Sequence, residues 1–166
     1  MRRTLGMKKL VVAILAMMLC FAFVGCGSAS YTSEGDVTLQ NGDGDKCNIQ
    51  IAEIQKEDDS TTVYIRGTED FMVSSYTMQS SGFGWNVTVG VKMTDAEGNQ
   101  VEPVKTTPYM TGKGTGGAVS FTFEGVDYTD MFVYLTSNEE GGIAIPLSEL
   151  DLPEENKMSD SIVELQ

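Results

Sequence analysis

The sequence predicts an all-β fold in which antiparallel strands pack as a sandwich. Three observations support this prediction. Short stretches of alternating apolar and polar residues recur across residues 47–147. Turn signals rich in Gly, Asp, Asn and Ser separate these stretches at fairly regular spacing, and no convincing helical period lies among them. The pattern gives seven or eight short strands, as in a sandwich or, alternatively, a small barrel.

The folded region opens with a strand that contains an irregularity. Apolar and polar residues alternate from Cys47, and Ile54 then breaks the phase, which predicts a β-bulge. An acidic turn at residues 57–60 follows. The next alternation, over residues 62–66, predicts a second strand, and residues 71–78 predict a weaker third one.

Residues 85–93 give the clearest strand signal. From Trp85 to Met93 every second residue is apolar, which is the period of a half-buried strand, and we predict that it lies at the centre of the core. Residues 95–99 predict a hairpin turn, in which Gly98 can adopt positive φ at little cost.

The remaining strands follow this hairpin. Pro103 and Pro108 place the return strand at a sheet edge or end it, and Pro146 lies on the outward face of an edge strand, the last one. The stretch at residues 131–135 is apolar on both faces, as expected of a central strand. These later strands are predicted over residues 101–104, 119–123, 131–135 and 143–147.

The size, strand number and strand spacing of residues 47–147 resemble those of immunoglobulin-like sandwiches. Trp85 on a middle strand resembles the core tryptophan of such domains, and Asp127-Tyr128 resembles their tyrosine corner. The cysteine pair that would make the match specific is absent. The resemblance therefore implies the architecture and no named family.

The N-terminus reads as an export signal. Four basic residues at positions 2, 3, 8 and 9 precede an uninterrupted apolar run at residues 10–24. A membrane-spanning helix needs about 20 such residues, and this run is shorter. It has the length of the apolar region of a signal peptide, translated from Met1 or from Met7.

The signal ends in Phe23-Val24-Gly25-Cys26, which resembles the lipobox of bacterial lipoproteins, although Phe stands where Leu is usual. The resemblance implies a signal peptide over residues 1–25, cut before Cys26, and a diacylglyceryl group on the Cys26 thiol. The mature chain would then be an extracytoplasmic protein, lipid-anchored to the cell membrane. The alternatives are an ordinary secretory signal and a retained anchor helix.

Two polar segments flank the folded region. Residues 26–46, which carry the lipidated cysteine, are rich in Gly, Asp, Ser and Asn and predict a flexible linker, in which residues 37–39 could form a short strand. Residues 148–166 predict an acidic tail. Within it, residues 153–165 would form a short helix or remain frayed.

The charge of the mature chain restricts its partners. All 24 acidic residues follow Cys26, against seven of the 11 basic ones, so the mature chain has a net charge of −17. Such a surface repels nucleic acid and anionic lipid. We therefore expect no nucleic-acid partner, and lipid rather than charge must hold the protein at a membrane.

Several chemistries are excluded by composition. The sequence has no histidine, which removes the commonest general base and the usual zinc ligands. Cys47 is the only cysteine after Cys26 and is expected to be a buried thiol. Residues 41–45 and 112–117 fail the calcium-loop and phosphate-loop patterns. We therefore expect that the protein is not an enzyme and that it binds neither a cofactor nor a metal ion.

The favoured function is a non-catalytic interaction module that contacts an envelope protein or a cell-wall component, through a sheet face or through loops 80–83 and 112–117. The alternative is a small-ligand or glycan-binding lipoprotein. A hydrolase built on a carboxylate pair is a third reading. The aromatic candidates for the alternative are Tyr64, Tyr76, Phe83 and Tyr109.

Overall fold

The computed structural model describes residues 29–40, 44, 46–67, 71–74, 85–110, 117–136, 138–158 and 163–164. Two packed sheets form an all-β sandwich, which confirms the predicted fold class. In chain order the strands are β1 (Ser30–Tyr31), β2 (Asp36–Gln40), β3 (Lys46–Lys56), β4 (Ser60–Gly67), β5 (Phe71–Ser74), β6 (Trp85–Asp95), β7 (Gln100–Val101), β8 (Lys105–Met110), β9 (Ala118–Glu124), β10 (Tyr128–Leu135), β11 (Asn138–Pro146) and β12 (Val163–Glu164).

The first sheet has the order β1-β2-β3-β4-β9-β8-β12, and the second has β11-β10-β6-β5, with β7 also paired to β6. The ladders between described residues are antiparallel except for one: β5 runs parallel to β6, with Phe71 opposite Trp85. The prediction of purely antiparallel strands is wrong at this pair, because the alternation along one strand does not show in which direction its neighbour runs. Residues 75–84, which follow β5 in the sequence, lie outside the described part.

The core lies between the two sheets and is built from alternate residues of each strand. Val89, Val91 and Met93 of β6 are buried, as the alternation predicted, whereas the side chains of Trp85 and Val87 lie outside the described residues. The predicted bulge in β3 is confirmed by a register shift between Ile51 and Glu53. Further fully buried members are Leu39, Ile49, Ile65, Phe123, Met131, Val133 and Ile145.

Part of the predicted linker belongs to the sheet. β1 and β2 extend the first sheet beyond β3, and Val37 and Leu39 are buried in the core. The prediction of a flexible linker is wrong for residues 30–40, where only the short strand at residues 37–39 was anticipated. Pairing with β3 provides hydrogen-bond partners for the backbone of β2, and a segment rich in polar residues can therefore form a strand.

The segment 147–158, here called the C-terminal strap, begins against β10 of the second sheet, continues onto the first sheet and is not a free tail. Single 3₁₀ turns stand at Leu147–Glu149 and Glu154–Asn156. The second turn is all the helical structure in the described part of residues 153–165, where a short helix or a frayed tail was predicted. The Asp151 N–H donates to the Ser33 carbonyl, and the Met158 N–H donates to a carboxylate oxygen of the buried Glu53. These long-range bonds fix the strap.

The connection between β9 and β10 carries the chain from one sheet to the other. At this corner the Tyr128 hydroxyl donates to the carbonyl of Glu124, and its ring packs edge-on against Phe123, 6.0 Å between centroids. A hydroxyl bonded to backbone a few residues upstream is the contact made by a tyrosine corner. The contact fixes the direction in which β10 enters the second sheet.

Candidate functional site

Of the four aromatic residues that the sequence singled out, the two that the structure describes do not form an exposed platform. Tyr64 is buried, with its hydroxyl 3.3 Å from Gln55 Oε1, and burial raises its pKa. Tyr109 is half-buried; its hydroxyl lies 3.1 Å from Ser120 Oγ, and its ring lies 6.2 Å from that of Tyr64. Tyr109 also packs against Met158 of the strap, so these two rings are part of the packed structure rather than a binding platform.

Other predicted site residues lie outside the described part of the chain. They are Cys26, Tyr76, Phe83, loop 80–83 and residues 112–116 of the glycine-rich loop. Cys47 is described, and it is buried as predicted.

An aromatic pair that the sequence analysis missed lies on the outer face of the second sheet. Phe132 and Tyr134 of β10 are half-buried and stacked, with 5.4 Å between ring centroids and 22° between ring planes. Each ring lies over a glycine of a neighbouring strand, because a Cβ at Gly142 would clash with Phe132 and one at Gly90 would clash with Tyr134. Aromatic rings that cover strand glycines stabilise a sheet.

A charged pair borders this aromatic face. The Lys92 ammonium lies 5.3 Å from the centre of the Tyr134 ring, close enough for a cation–π contact, and 3.2 Å from a carboxylate oxygen of Glu102. The ion pair is exposed on the Glu102 side and contributes little to stability. Its effect is to hold a positive and a negative charge beside the Tyr134 ring.

The edge of β6 that faces away from β10 pairs with two different strands. The described pairs of β5 reach Thr88, and those of β7 begin at Met93. Within the described part of the chain, the stretch 89–92 of β6, here called the gap, separates these two pairings.

A pocket of about 240 Å³ opens at this gap. Gly90 and Val91 of β6 form one wall, and the Tyr134 ring reaches it across Gly90. The pocket combines apolar surface with hydroxyl and carboxylate groups, and its other lining residues are Glu102, Pro103, Thr106, Phe121 and Thr136. It is the candidate functional site of the described residues.

Three acidic turns meet at one end of the sandwich, here called the far end: residues 57–59, 95–99 and 124–127. The Gly125 N–H donates to the Asp59 carbonyl, and Asp95 pairs with Tyr128. Burial raises the pKa of Tyr128, and the charges of Asp95 and Glu124 raise it further. The far end therefore carries a concentrated negative charge.

The turn at the far end predicts a pH effect. The Asn99 side chain and, to a smaller extent, the Asn99 backbone N–H donate to the Asp95 carboxylate and lower the pKa of Asp95 below its ordinary value. The resulting stabilisation is present above the pKa that Asp95 has in the unfolded chain, and it is lost as pH falls through the lower pKa of the folded state.

We expect Asn99→Ala to raise the Asp95 pKa in a carboxyl NMR titration. Asn48→Ala, on a distant strand, should leave it unchanged; equal pKa values in the wild type and Asn99→Ala would contradict this account.

The described residues contain no group of three or more His, Cys, Asp or Glu side chains arranged to hold a metal ion. Within the same residues no helix is long and apolar enough to cross a membrane, and the predicted signal segment lies outside them. No protein-family model matches the chain, and neither the curated proteins nor the solved structures contain a match to it.

Proposed function

We propose that this protein is an extracytoplasmic lipoprotein, held to the cell membrane by lipid on Cys26, whose β-sandwich is a non-catalytic interaction module for an envelope protein or a cell-wall component. The observation that carries the proposal is the position of Cys26 between an apolar signal and the first strand. The described strands begin at Ser30, so cleavage before Cys26 would remove none of them. A diacylglyceryl group provides two acyl chains, enough for stable anchoring.

The short distance between Cys26 and the fold supports a particular orientation. Ala29 already packs against the core, so the Cα atoms of Cys26 and Ala29 are at most about 11 Å apart. Ser30 pairs with Thr38, which places Ala29 at the end of the sandwich where β2 leads into β3, here called the near end. The near end would face the membrane.

Charge supports the same orientation. The far end carries seven carboxylates in its three turns, at residues 57, 58, 59, 95, 97, 124 and 127. An anionic membrane surface repels these charges and would turn the far end outward. Gly117, which ends the glycine-rich loop, bonds to Gly67 at the near end. We therefore propose the far end, and not loop 112–117, as the surface that meets a partner.

The strand order supports an immunoglobulin-like architecture as part of this proposal. When β3, β4, β6, β8, β9, β10 and β11 are read as strands A to G, one sheet contains A-B-E-D and the other G-F-C. The Tyr128 contact stands at the corner between E and F, where such domains have it. Immunoglobulin-like sandwiches present loops at both ends, as an interaction module requires.

The test of the anchor is Cys26→Ala, followed by cell fractionation and intact mass. We expect the wild type in the membrane fraction with the mass of a lipid-modified chain, and Cys26→Ala in the precursor or soluble pool. Cys20→Ala, inside the signal, and Cys47→Ala, in the core, are matched controls that should leave fractionation unchanged. Membrane-bound Cys26→Ala protein, with no difference in lipid mass from the wild type, would exclude lipidation at this residue.

A second function, the binding of a small ligand, is favoured by one observation. The pocket at the gap in β6 has polar groups on several sides and lies beside the Phe132–Tyr134 pair. Its 240 Å³ is below the range of about 300–1,000 Å³ that is usual for drug-sized ligands, so an occupant would be small.

A further inference from the structure

The C-terminal strap places an apolar side chain on the outer face of the first sheet. Met158 is buried in a small cluster with Ala52 of β3 and Ala118 of β9, apart from the core between the sheets. Val119, the neighbour of Ala118, belongs to the core, so Ala118 points to the opposite face. β4 lies between β3 and β9, and the cluster therefore spans β4. We call this site the outer groove.

Two alanines give the outer groove its depth. The register shift between Ile51 and Glu53 places Ala52 in the bulge of β3, and a bulge re-aims side chains, so that both Ala52 and Glu53 contact the strap. The half-buried ring of Tyr109 packs against the same cluster. Small side chains on the sheet leave room for a long, unbranched one such as methionine, which adapts to irregular spaces.

Polar groups beside the outer groove select the segment that occupies it. A carboxylate oxygen of the buried Glu53 accepts from the Met158 N–H at 3.0 Å. Arg66 Nη2 donates to the side-chain oxygen of Asn156 at 2.9 Å. Arg66 Nε donates to Gln50 Oε1 at 2.6 Å, which holds the guanidinium in position. The sheet therefore contacts two side chains, an amide and a methionine, at a spacing of two residues.

The strap residues around these two side chains face solvent. Glu154, Glu155 and Lys157 are exposed, and the 3₁₀ turn Glu154–Asn156 contains no buried residue. Segments with few buried contacts open at a lower free energy than the core does. The groups that recognise the strap all lie on the sheet, so another segment with the same two side chains can take its place.

We infer that the outer groove is a docking site for a segment of a partner protein that carries a side-chain amide two residues before a methionine, and that the strap occupies it as an internal stand-in. The strap supports this choice of occupant, because its own amide and methionine fill the groove. The inference goes beyond the proposed function, since the outer groove shares no residue with the far end or with the pocket.

The strap competes strongly with such a partner. A segment joined to its site by a short flexible linker has an effective concentration of about 1 mM, so a free peptide must displace it. When the strap is docked about nine-tenths of the time, the apparent affinity for a free peptide falls about 10-fold. Opening the strap should therefore expose a docking site that the closed protein hides.

The test uses the full chain, purified from membranes in detergent, and a fluorescent peptide with the sequence of residues 153–160, whose anisotropy reports binding. Met158→Asp places a second carboxylate beside Glu53 and should release the strap, which would speed hydrogen exchange at the amide of residue 158. We expect this variant to bind the peptide at least 10-fold more tightly than the wild type does. Glu155→Ala, at an exposed strap position, is the matched control and should bind as weakly as the wild type.

Further changes show whether the peptide occupies the same groove. A peptide that carries Asn156→Ala should bind the Met158→Asp protein at least 10-fold more weakly, because it loses the hydrogen bond from the Arg66 guanidinium. Ala118→Leu, combined with Met158→Asp, fills the groove from the sheet and should weaken binding of the unaltered peptide to the same extent. Arg66→Ala is the second groove variant, so that one that fails to fold leaves the other.

Several outcomes would overturn the inference. Equal affinity of the wild type and Met158→Asp for the peptide, or unchanged binding of the Asn156→Ala peptide, would contradict a docking site at the groove. Hydrogen exchange at residue 158 as slow in Met158→Asp as in the wild type would show that Met158 does not hold the strap. A wild type that sediments as a dimer, with Met158→Asp monomeric, would make the occupant the strap of a second copy and not a partner protein. None of these results bears on the lipid anchor or the far end.

Discussion

Replacing Phe123 with alanine is expected to lower the free energy of unfolding by about 3–5 kcal/mol. Phe123 is fully buried in β9, and its ring packs edge-on against Tyr128 at the corner between the sheets. The substitution removes a large apolar surface and leaves a cavity that the close-packed side chains around it fill only in part.

Urea unfolding followed by far-ultraviolet circular dichroism measures this loss. Val104→Ala is the control, because Val104 is 59% exposed and its truncation should change stability by no more than about 0.5 kcal/mol. A loss of less than about 1 kcal/mol in Phe123→Ala would show that this ring is not part of the packed core.

Replacing Gly90 with alanine is expected to destabilise the protein by about 1–3 kcal/mol, although alanine is ordinarily the better residue in a strand. The new Cβ would clash with the ring of Tyr134, which must then leave the face of β6. When the ring moves, the protein loses the stabilisation from its stacking on Phe132 and from its cation–π contact with Lys92.

A double-mutant cycle isolates the cause. In a Tyr134→Ala background, Gly90→Ala should be neutral or stabilising by up to about 1 kcal/mol, because the clash is gone and alanine has less backbone entropy to lose. Thr94→Ala, on the same face of β6, is the control for a change that does not touch the ring. Equal effects of Gly90→Ala in both backgrounds would contradict the contact.

The sequence was most informative where a strand alternates and is buried on one face. The strand of residues 85–93, the bulge near Ile54 and the corner at Tyr128 were all visible as local patterns. Each follows from side-chain periodicity or from a short spacing, so no knowledge of the strand partners was needed.

Features that depend on long-range pairing could not be predicted. Residues 30–36 read as linker until β1 pairs with β2 and β2 with β3, and the strap reads as a tail until Glu53 and Arg66 bond to it. The same limit applies to the candidate site. Residues 131–135 read as buried on both faces, because nothing local shows that Phe132 and Tyr134 cover glycines of other strands.

The gap in β6 was hidden for a related reason. Within the described residues it separates the parallel pairing of β5, which reaches Thr88, from the antiparallel pairing of β7, which begins at Met93. Local periodicity does not reveal which strands are neighbours or where their pairing stops. Gly90, in the middle of an otherwise strict alternation, was the one available signal, since an isolated glycine in a strand marks a close approach.

The central claim, that lipid on Cys26 holds the sandwich on its near end, is tested most directly by the distance of each end from a bilayer. Energy transfer to an acceptor lipid would be compared for donors at Lys46→Cys, near end, and Glu97→Cys, far end, in anchored protein carrying Cys47→Ala. β3 alone spans 11 residues, or about 35 Å. We predict strong transfer from position 46 and much weaker transfer from position 97. Equal transfer from the two positions, or stronger transfer from position 97, would contradict the account.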